Sequence, residues 1–571
     1  MTEGRAGVYG RRLLPLVLYA VLAVGLIWPA ALHPVAAVPG APRTDLWDSL
    51  WSFWYFARRL DLLSGSLPTD VGGILNHPTG GQLWVADPVN ALLAAPLLPW
   101  LGPAASWTLL VHLHLTLTGW FGHHLGEAVS GGRPGAGWVS GVALAASPVV
   151  LAQIHNGASE AVAGEWVILA AWTLWRLGQA PGWARAAQAG GALGLATVAH
   201  WYGGLEAWVL WAVFAIGAVG SALRRGSTSR GRVGRILAVW AVAALIGLAL
   251  AAPAAMKARA VSTAADNVVG IKGARELMTL RRSIGPADPR GFLHPGAFRS
   301  PDFSEISRYQ EQYVHCSYLG WVLLAAAVAG TLRARSQTRS PGGATVWWIA
   351  AVLGLILAMG PVLVQDGGPV ILPGRLAIPL PYLLVERLPG FSGLSLLYRL
   401  TWLAVVCLAA LAARGLQGRA AWAVAALLLV ETRLWSPAAD LPGHTDATLP
   451  LALQVLAEAP DGAVMNFPVV GGRAYLYEQT VHGKPLAGTL NFPNNAASMR
   501  IWKVALQHAG GPPEALVVAV RARAQAEGVR YLVHHMDPTA VPDAHDAAVA
   551  ALVHAFPPMV HEDGLTVLAF Y

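Results

Sequence analysis

The segment Thr44–Leu60, TDLWDSLWSFWYFARRL, holds the residues best suited to chemistry. Wound as a helix at about 100° per residue, it sets Trp47, Trp51, Trp54 and Arg58 on one side and Asp45, Asp48, Ser52 and Arg59 on the other. Asp45 and Asp48 then lie one turn apart on the water side. Two carboxylates so spaced can hold a divalent metal or take the proton of a hydroxyl group. The plainer account is an interfacial anchor, with tryptophans toward lipid or bundle and the aspartates solvated or serving as helix cap and first-turn acid. On chemistry alone the plainer account is favoured, and both stay open.

Other residues could join them. His155 and Glu160 share one short turn, and His200 and Tyr202 share the next. Such turns meet when their helices are neighbours, so the four could converge beside Asp45; simple helix-end packing is the alternative. Glu165 and Glu206 fall just inside apolar segments, where charge is costly and often functional. His112 and His114 are two apart and share no helix face, so they make no helical metal pair, and with His123 and His124 they read as packing residues. Arg58, Arg59, Arg281, Arg282 and Arg399 are each most simply an interfacial anchor or headgroup contact. The charged stretch 257–317 reads by its residues as a solvated surface loop with short helices. No P-loop, GxGxxG, HExxH, CxxC or nucleophile elbow stands in its required context, which argues against an ATPase, a nucleotide-binding dehydrogenase and the common zinc hydrolases.

The elements that must position these residues are apolar helices. Of 571 residues, 55% are hydrophobic and 12% charged, against about 25% charged in soluble domains. The mean hydropathy is +0.49. Tryptophan, with 24 copies, suits the membrane–water interface. The net charge of +8 comes from short arginine clusters between apolar runs, a pattern of membrane topology rather than of a nucleic-acid face. Cys316 and Cys407 are far apart and build no disulfide framework. At roughly 20 residues per crossing, spans are expected at 13–37, 104–126, 134–153, 161–178, 186–203, 205–222, 235–256, 318–333, 345–364, 398–414 and 419–435, about eleven in all. The stretch 91–101 is too short and Pro-broken to cross. Arginines gather in alternate loops, which sets the N-terminus in the cytoplasm and the C-terminus outside. The expected architecture is an α-helical multi-pass transmembrane bundle over 1–435, with outer loops at 38–103 and 257–317. A small extracytoplasmic α/β domain follows over 436–571. In that tail, 464–470, 528–536 and 565–571 read as strands, and Pro513–Glu527 as a helix closed by Gly528.

Asp45 followed by Trp51, Trp54 and Tyr55, just after the first span, resembles the first outer loop of bacterial GT-C-type membrane glycosyltransferases and their uncharacterised multi-pass relatives. Further similar stretches follow in order: His77-Pro78-Thr79-Gly80 with Asp87-Pro88-Val89-Asn90, Ser147-Pro148 before His155-Asn156, and Tyr318-Leu319-Gly320. Then come Leu388–Leu394 leading into Tyr398-Arg399, Tyr477–Pro485, and Gly528–Val533. The resemblance covers nearly the whole chain and implies transfer of a sugar from a polyprenyl-phosphate carrier to an acceptor on the outer face of the cytoplasmic membrane. It implies Asp45 as general base or metal ligand, Asp48 as helper or metal ligand, a divalent metal as a candidate cofactor, and the stretch 257–317 as a cover over the site. It also implies Arg58, Arg59, Arg281, Arg282 and Arg399 as candidates for the carrier phosphate, because guanidinium binds phosphate bidentately. Relatives often carry an arginine where this chain has Ser395; if that arginine grips phosphate, this chain must use Arg399 or lack the grip. The competing readings are a transporter or flippase of lipid-linked material and a non-catalytic scaffold whose outer domain binds a partner. Asp45 facing an open outer cavity that continues into a lipid-accessible groove would favour the enzyme; Asp45 buried against an arginine in a closed loop would defeat that reading.

Overall fold

The computed structural model describes residues 5–61, 66–224, 230–268, 274–294, 313–335, 343–374, 376–388, 391–434, 441–467, 473–488, 496–508, 510–535, 544–562 and 564–571. Each expected apolar segment carries a helix, but the bounds move for local reasons. The first helix, Arg5–Leu26, ends well before 37, because Pro29 and Pro34 follow and proline cannot continue the hydrogen-bond ladder. The segment 134–153 splits into Ala136–Ala145 and Pro148–His155, broken where Pro148 lacks its N–H. The helix expected at 104–126 runs over Leu98–Ser130 with a break at Gly102 (φ 70°), before Pro103. Others cover Glu165–Gln179, Trp183–Ala199, Trp201–Arg224, Arg230–Ser262, Trp321–Arg335, Gly343–Ala358, Thr401–Gly415 and Gly418–Leu434.

Among the described residues, four helical segments are long and apolar enough to cross a membrane: Ala136–His155, Trp201–Arg224, Gly231–Ser262 and Leu397–Gly415. Shorter apolar helices lie at Leu13–Leu26, Trp321–Ala334 and Gly343–Ala358. Leu397–Gly415 is wholly buried and forms the centre of the bundle, whereas Trp201–Arg224 and Gly231–Ser262 are mostly uncovered. Large apolar side chains such as Val21, Ile216, Leu245 and Leu332 stand exposed, as helices require when lipid is their solvent.

Beyond residue 441 the chain builds a four-stranded sheet in the order Ala463–Phe467, Val529–His535, Leu565–Ala569, Pro558–Glu562. The first pair is parallel and the others antiparallel. Alternation does the sorting. Ala463, Met465, Phe467, Leu532 and Leu568 face the helices Ala497–His508, Pro513–Glu527 and Ala544–Ala555, in a core with Trp502, Leu516 and Phe556. Val464, Tyr531, Val533 and Val567 join the main core instead. The helix Pro513–Glu527 has the bounds expected from its pattern, and Gly528 closes it at φ 68°, a left-handed turn that glycine takes without strain. The strands fall where expected, though 468–470 and 536 lie outside the described residues.

Candidate active site

The first-loop helix spans Leu46–Arg59 with Asp45 at its N-cap position. Much of its tryptophan face is covered by protein. Trp47 and Trp51 are buried against the helix Ala474–His482 from the C-terminal part. Trp47 stacks on Tyr477 at 4.9 Å between ring centroids, and Trp51 Nε1 donates to Gln479 Oε1 at 2.7 Å. A paired strand, Ala37–Pro39 against His444–Asp446, fastens the same two regions.

The turn after the helix Pro148–His155 fixes the start of this loop. The carbonyl of His155 accepts from Ala41 N at 2.8 Å, and that of Asn156 accepts from Asp45 N at 3.0 Å. Ser49 Oγ donates to the carbonyl of Gly157 at 2.6 Å. His155 thus contributes its backbone to the platform beneath Asp45. The fully buried Asn156 adds its side chain: Nδ2 donates to the carbonyl of Val314 at 2.9 Å, and Oδ1 accepts from Val314 N at 2.8 Å. That pairing sets Tyr313 over Asp45.

The two aspartates do come together, and they share a cation. Arg473, which caps the helix Ala474–His482, ion-pairs with Asp45 Oδ1 and lies 3.0 Å from Asp48 Oδ2. Tyr313 donates to Asp45 Oδ1 at 2.6 Å and accepts from Arg473 Nη1 at 2.9 Å. The Asp45 and Arg473 side chains each remain one-third exposed. Asp45 is therefore neither open to a free cavity nor sealed away. Burial raises the Asp48 carboxyl well above the usual range, and its Oδ1 is buried with no hydrogen-bond partner. Burial lowers Arg473 to about 10, which leaves it charged at neutral pH. A divalent metal does not fit this arrangement. A guanidinium already spans both carboxylates, Asp48 presents a single oxygen to it, and no group of three His, Cys, Asp or Glu forms among the described residues.

A second cluster lies deeper, and it holds the other turn residues. Arg399 Nη1 meets Glu160 Oε1 at 2.8 Å, and its guanidinium sits 5.6 Å from the centre of the Tyr202 ring. Tyr202 Oη accepts from Ser395 N at 3.0 Å and Leu396 N at 2.8 Å, and its ring lies 5.3 Å from that of His200. Burial alone would raise the Glu160 carboxyl; Arg399 more than offsets this and holds it below the usual range. Burial, reinforced by Arg399, pushes His200 down to about 3 despite nearby Glu160, so it is neutral. Arg399, His200, Gln153, Glu206 and Trp402 line one pocket. Gln153 is 3% exposed, and both its amide atoms, His200 Nε2 and Arg399 Nε are buried without hydrogen-bond partners.

The remaining candidates sit elsewhere. Arg58 stacks over Trp54 at 5.2 Å and Arg59 donates to the carbonyl of Gly72, at the far end of a helix that rises about 20 Å from Asp45. Arg281 and Arg282 both pair with Glu386, and Arg281 also donates to the carbonyl of Ser392 at 3.0 Å; they clamp a loop. Glu165 pairs with His114 at 2.6 Å, and Glu206 accepts from Leu403 N at 3.1 Å. Lys272, Asp302, Glu305, Arg308 and Glu311 of the 257–317 stretch lie outside the described residues. Sequence reasoning missed Arg473, Tyr313, Asn156 and Gln153. Only His155-Asn156, already marked as a motif, held a signal for one of them.

No family model matches the chain, and no curated protein matches it. Solved structures do. The arabinofuranosyltransferase AftD from Mycobacteria aligns over 97% of this chain and 40% of its own, at 16% identity and a TM-score of 0.52. A mutant of AftD gives 0.54. ArnT from Cupriavidus metallidurans, solved with undecaprenyl phosphate, aligns over 97% of this chain and 98% of its own, at 13% identity and a TM-score of 0.47. The Archaeoglobus fulgidus oligosaccharyltransferase covers 91% of this chain and 69% of its own, at 13% identity and a TM-score of 0.48. The chain thus spans two fifths of AftD while sharing its architecture. Its fold is that of the arabinofuranosyltransferase AftD, an architecture of the kind its sequence motifs lead one to expect.

Proposed function

We propose that this membrane protein is a glycosyltransferase that moves a hexosyl or pentosyl unit from a polyprenyl-phosphate carrier to an acceptor hydroxyl on the outer face of the cytoplasmic membrane. In this reading residues 1–435 cross the bilayer eleven times from a cytoplasmic N-terminus, and 436–571 form an outer α/β domain. The carrying observation is the join made by the helix Pro148–His155. Gln153 lines the Arg399 pocket, and Asn156, about 4.5 Å further along the axis, fixes Asp45 through its carbonyl. A phosphate seated toward Arg399 and an acceptor beside Asp45 would then meet across one helix end. Asp45 takes the acceptor's proton as the new C–O bond forms. The bond from the anomeric carbon to the carrier phosphate breaks, and the phosphate leaves with the electron pair.

The Asp45–Arg473 pair also supports a second reading, in which it latches the C-terminal part onto the first loop of a non-catalytic scaffold. One experiment separates the two. Purified protein is supplied with polyprenyl-phosphate sugars and candidate acceptors, and wild type is compared with Asp45→Asn. Loss of a general base lowers transfer by about 100-fold or more without loss of fold. Transfer that survives unchanged removes Asp45 as the base. No transfer by wild type, together with a destabilised variant, supports the latch.

A further inference from the structure

The Asp45–Asp48 pair is served by a side chain from the opposite end of the chain. Arg473 contacts a carboxylate oxygen of each aspartate, and Tyr313 closes the ring by donating to Asp45 while accepting from Arg473. This arginine is not a loose surface cation. It caps a helix fastened to the first-loop helix by the Trp47–Tyr477 stack and the Trp51–Gln479 hydrogen bond. Gln479 is pinned in turn, its Nε2 donating to the carbonyls of Ile74 at 2.8 Å and Lys484 at 3.0 Å. The guanidinium thus has a fixed address, between two carboxylates one helical turn apart.

We propose that Arg473 is a built-in counter-cation for Asp45 and Asp48, occupying the place a divalent metal would otherwise take. It rests on the reading of this pair as the acid site of a glycosyltransferase, but its metal-binding consequence holds without any turnover. A dication entering between the carboxylates meets a fixed positive charge at hydrogen-bond distance, and like charges so close exclude one another. Guanidinium also satisfies the two oxygens directionally, which a lysine ammonium would do only as a point charge. With Arg473 gone, Asp45, Asp48 and the Tyr313 hydroxyl form an oxygen-lined site that a hard cation can complete with water. The chain therefore carries the positive charge in its own C-terminal part.

The test is Mn2+ binding followed by electron paramagnetic resonance on the full chain in detergent, with Mn2+ alone as probe. Wild type and Asp45→Asn should bind identically, with no site lost on removing the carboxylate. Arg473→Gln should gain one site, at least about tenfold tighter than any in wild type, and Arg473→Gln with Asp45→Asn should lose it. Arg473→Lys, which keeps the charge, should gain none. A wild-type Mn2+ site abolished by Asp45→Asn overturns the proposal, whether or not the Gln variant folds. So does a folded Gln variant that gains no site. Transfer by wild type should be unchanged by a chelator; transfer that fails with and without metal speaks against the enzyme reading and leaves the binding result standing.

Discussion

Asn156→Ala tests whether the platform under Asp45 is set by one buried amide. Its side chain holds both backbone polar groups of Val314, and both residues are buried. The truncation leaves a buried N–H and a buried C=O without partners, each costing about 1–3 kcal/mol. Some water reaches the loosened strand, so the net loss is about 2–4 kcal/mol, concentrated locally. At about 1.4 kcal/mol per tenfold, opening of the strand becomes roughly 30- to 700-fold more frequent. Hydrogen exchange read by mass spectrometry on a peptide spanning 313–319 reports it directly. Asp45→Asn, which touches Tyr313 but not Val314, serves as the control and should leave that peptide within about threefold of wild type. If Asn156→Ala folds and its peptide also stays within about threefold, the amide does not hold the strand and the positioning argument is wrong.

Two further outcomes follow from the buried charges. Glu160→Ala should destabilise the protein by about 3–5 kcal/mol, because it leaves Arg399 buried and unpaired; adding Arg399→Met should restore part of the loss. Additive losses in a thermal-melt cycle would show that the two side chains are not coupled. His482 is one contributor to acid stability. Burial, with the charge of Lys484, lowers it to about 3 from 6.5, and its Nδ1 accepts from Lys484 N at 3.1 Å. Below pH 6.5 the unfolded chain binds a proton there that the folded chain refuses, so stability falls by up to about 1.4 kcal/mol per pH unit. His482→Asn, which keeps an acceptor without a titrating ring, should flatten the slope of denaturant-derived stability between pH 6.5 and 5; an unchanged slope refutes the assignment.

What the sequence disclosed follows from the range of the forces involved. Helices and strands arise from periodicity within a dozen residues, and so Pro513–Glu527, Leu46–Arg59 and the three tail strands are legible. Prolines 29 and 148 shortened or split two apolar helices, which a span count based on run length alone overlooks. Asp45 is legible because its helix start is local. Its partners are not: Arg473, Tyr313 and Asn156 reach it through contacts between distant segments, and an arginine in a tail carries no mark of its target. The same limit applies to Arg281 and Arg282, whose partner Glu386 lies in another loop. Glu160, His200, Tyr202 and Arg399 do converge, since neighbouring helices bring their short turns together, although that cluster is apart from the aspartates. The tryptophan face of the first-loop helix was assigned by polarity to lipid or bundle, and polarity cannot distinguish lipid from the apolar flank of a helix made later.

The contact between the first-loop helix and Ala474–His482 has a consequence in time. Trp51 and Gln479 are 428 residues apart, so while the chain is being made, the helix that covers the first loop's tryptophans is still unwritten. Trp47 and Trp51 wait uncovered, Asp45 and Asp48 repel each other unrelieved, and the strand at Ala37–Pro39 has no partner until His444–Asp446 emerges. The bundle can assemble first; the acid pair is completed only once Arg473 has been made. A product lacking the residues beyond 441 therefore differs from the longer chain at its opening loop as well, with Trp47 and Trp51 without the helix that covers them.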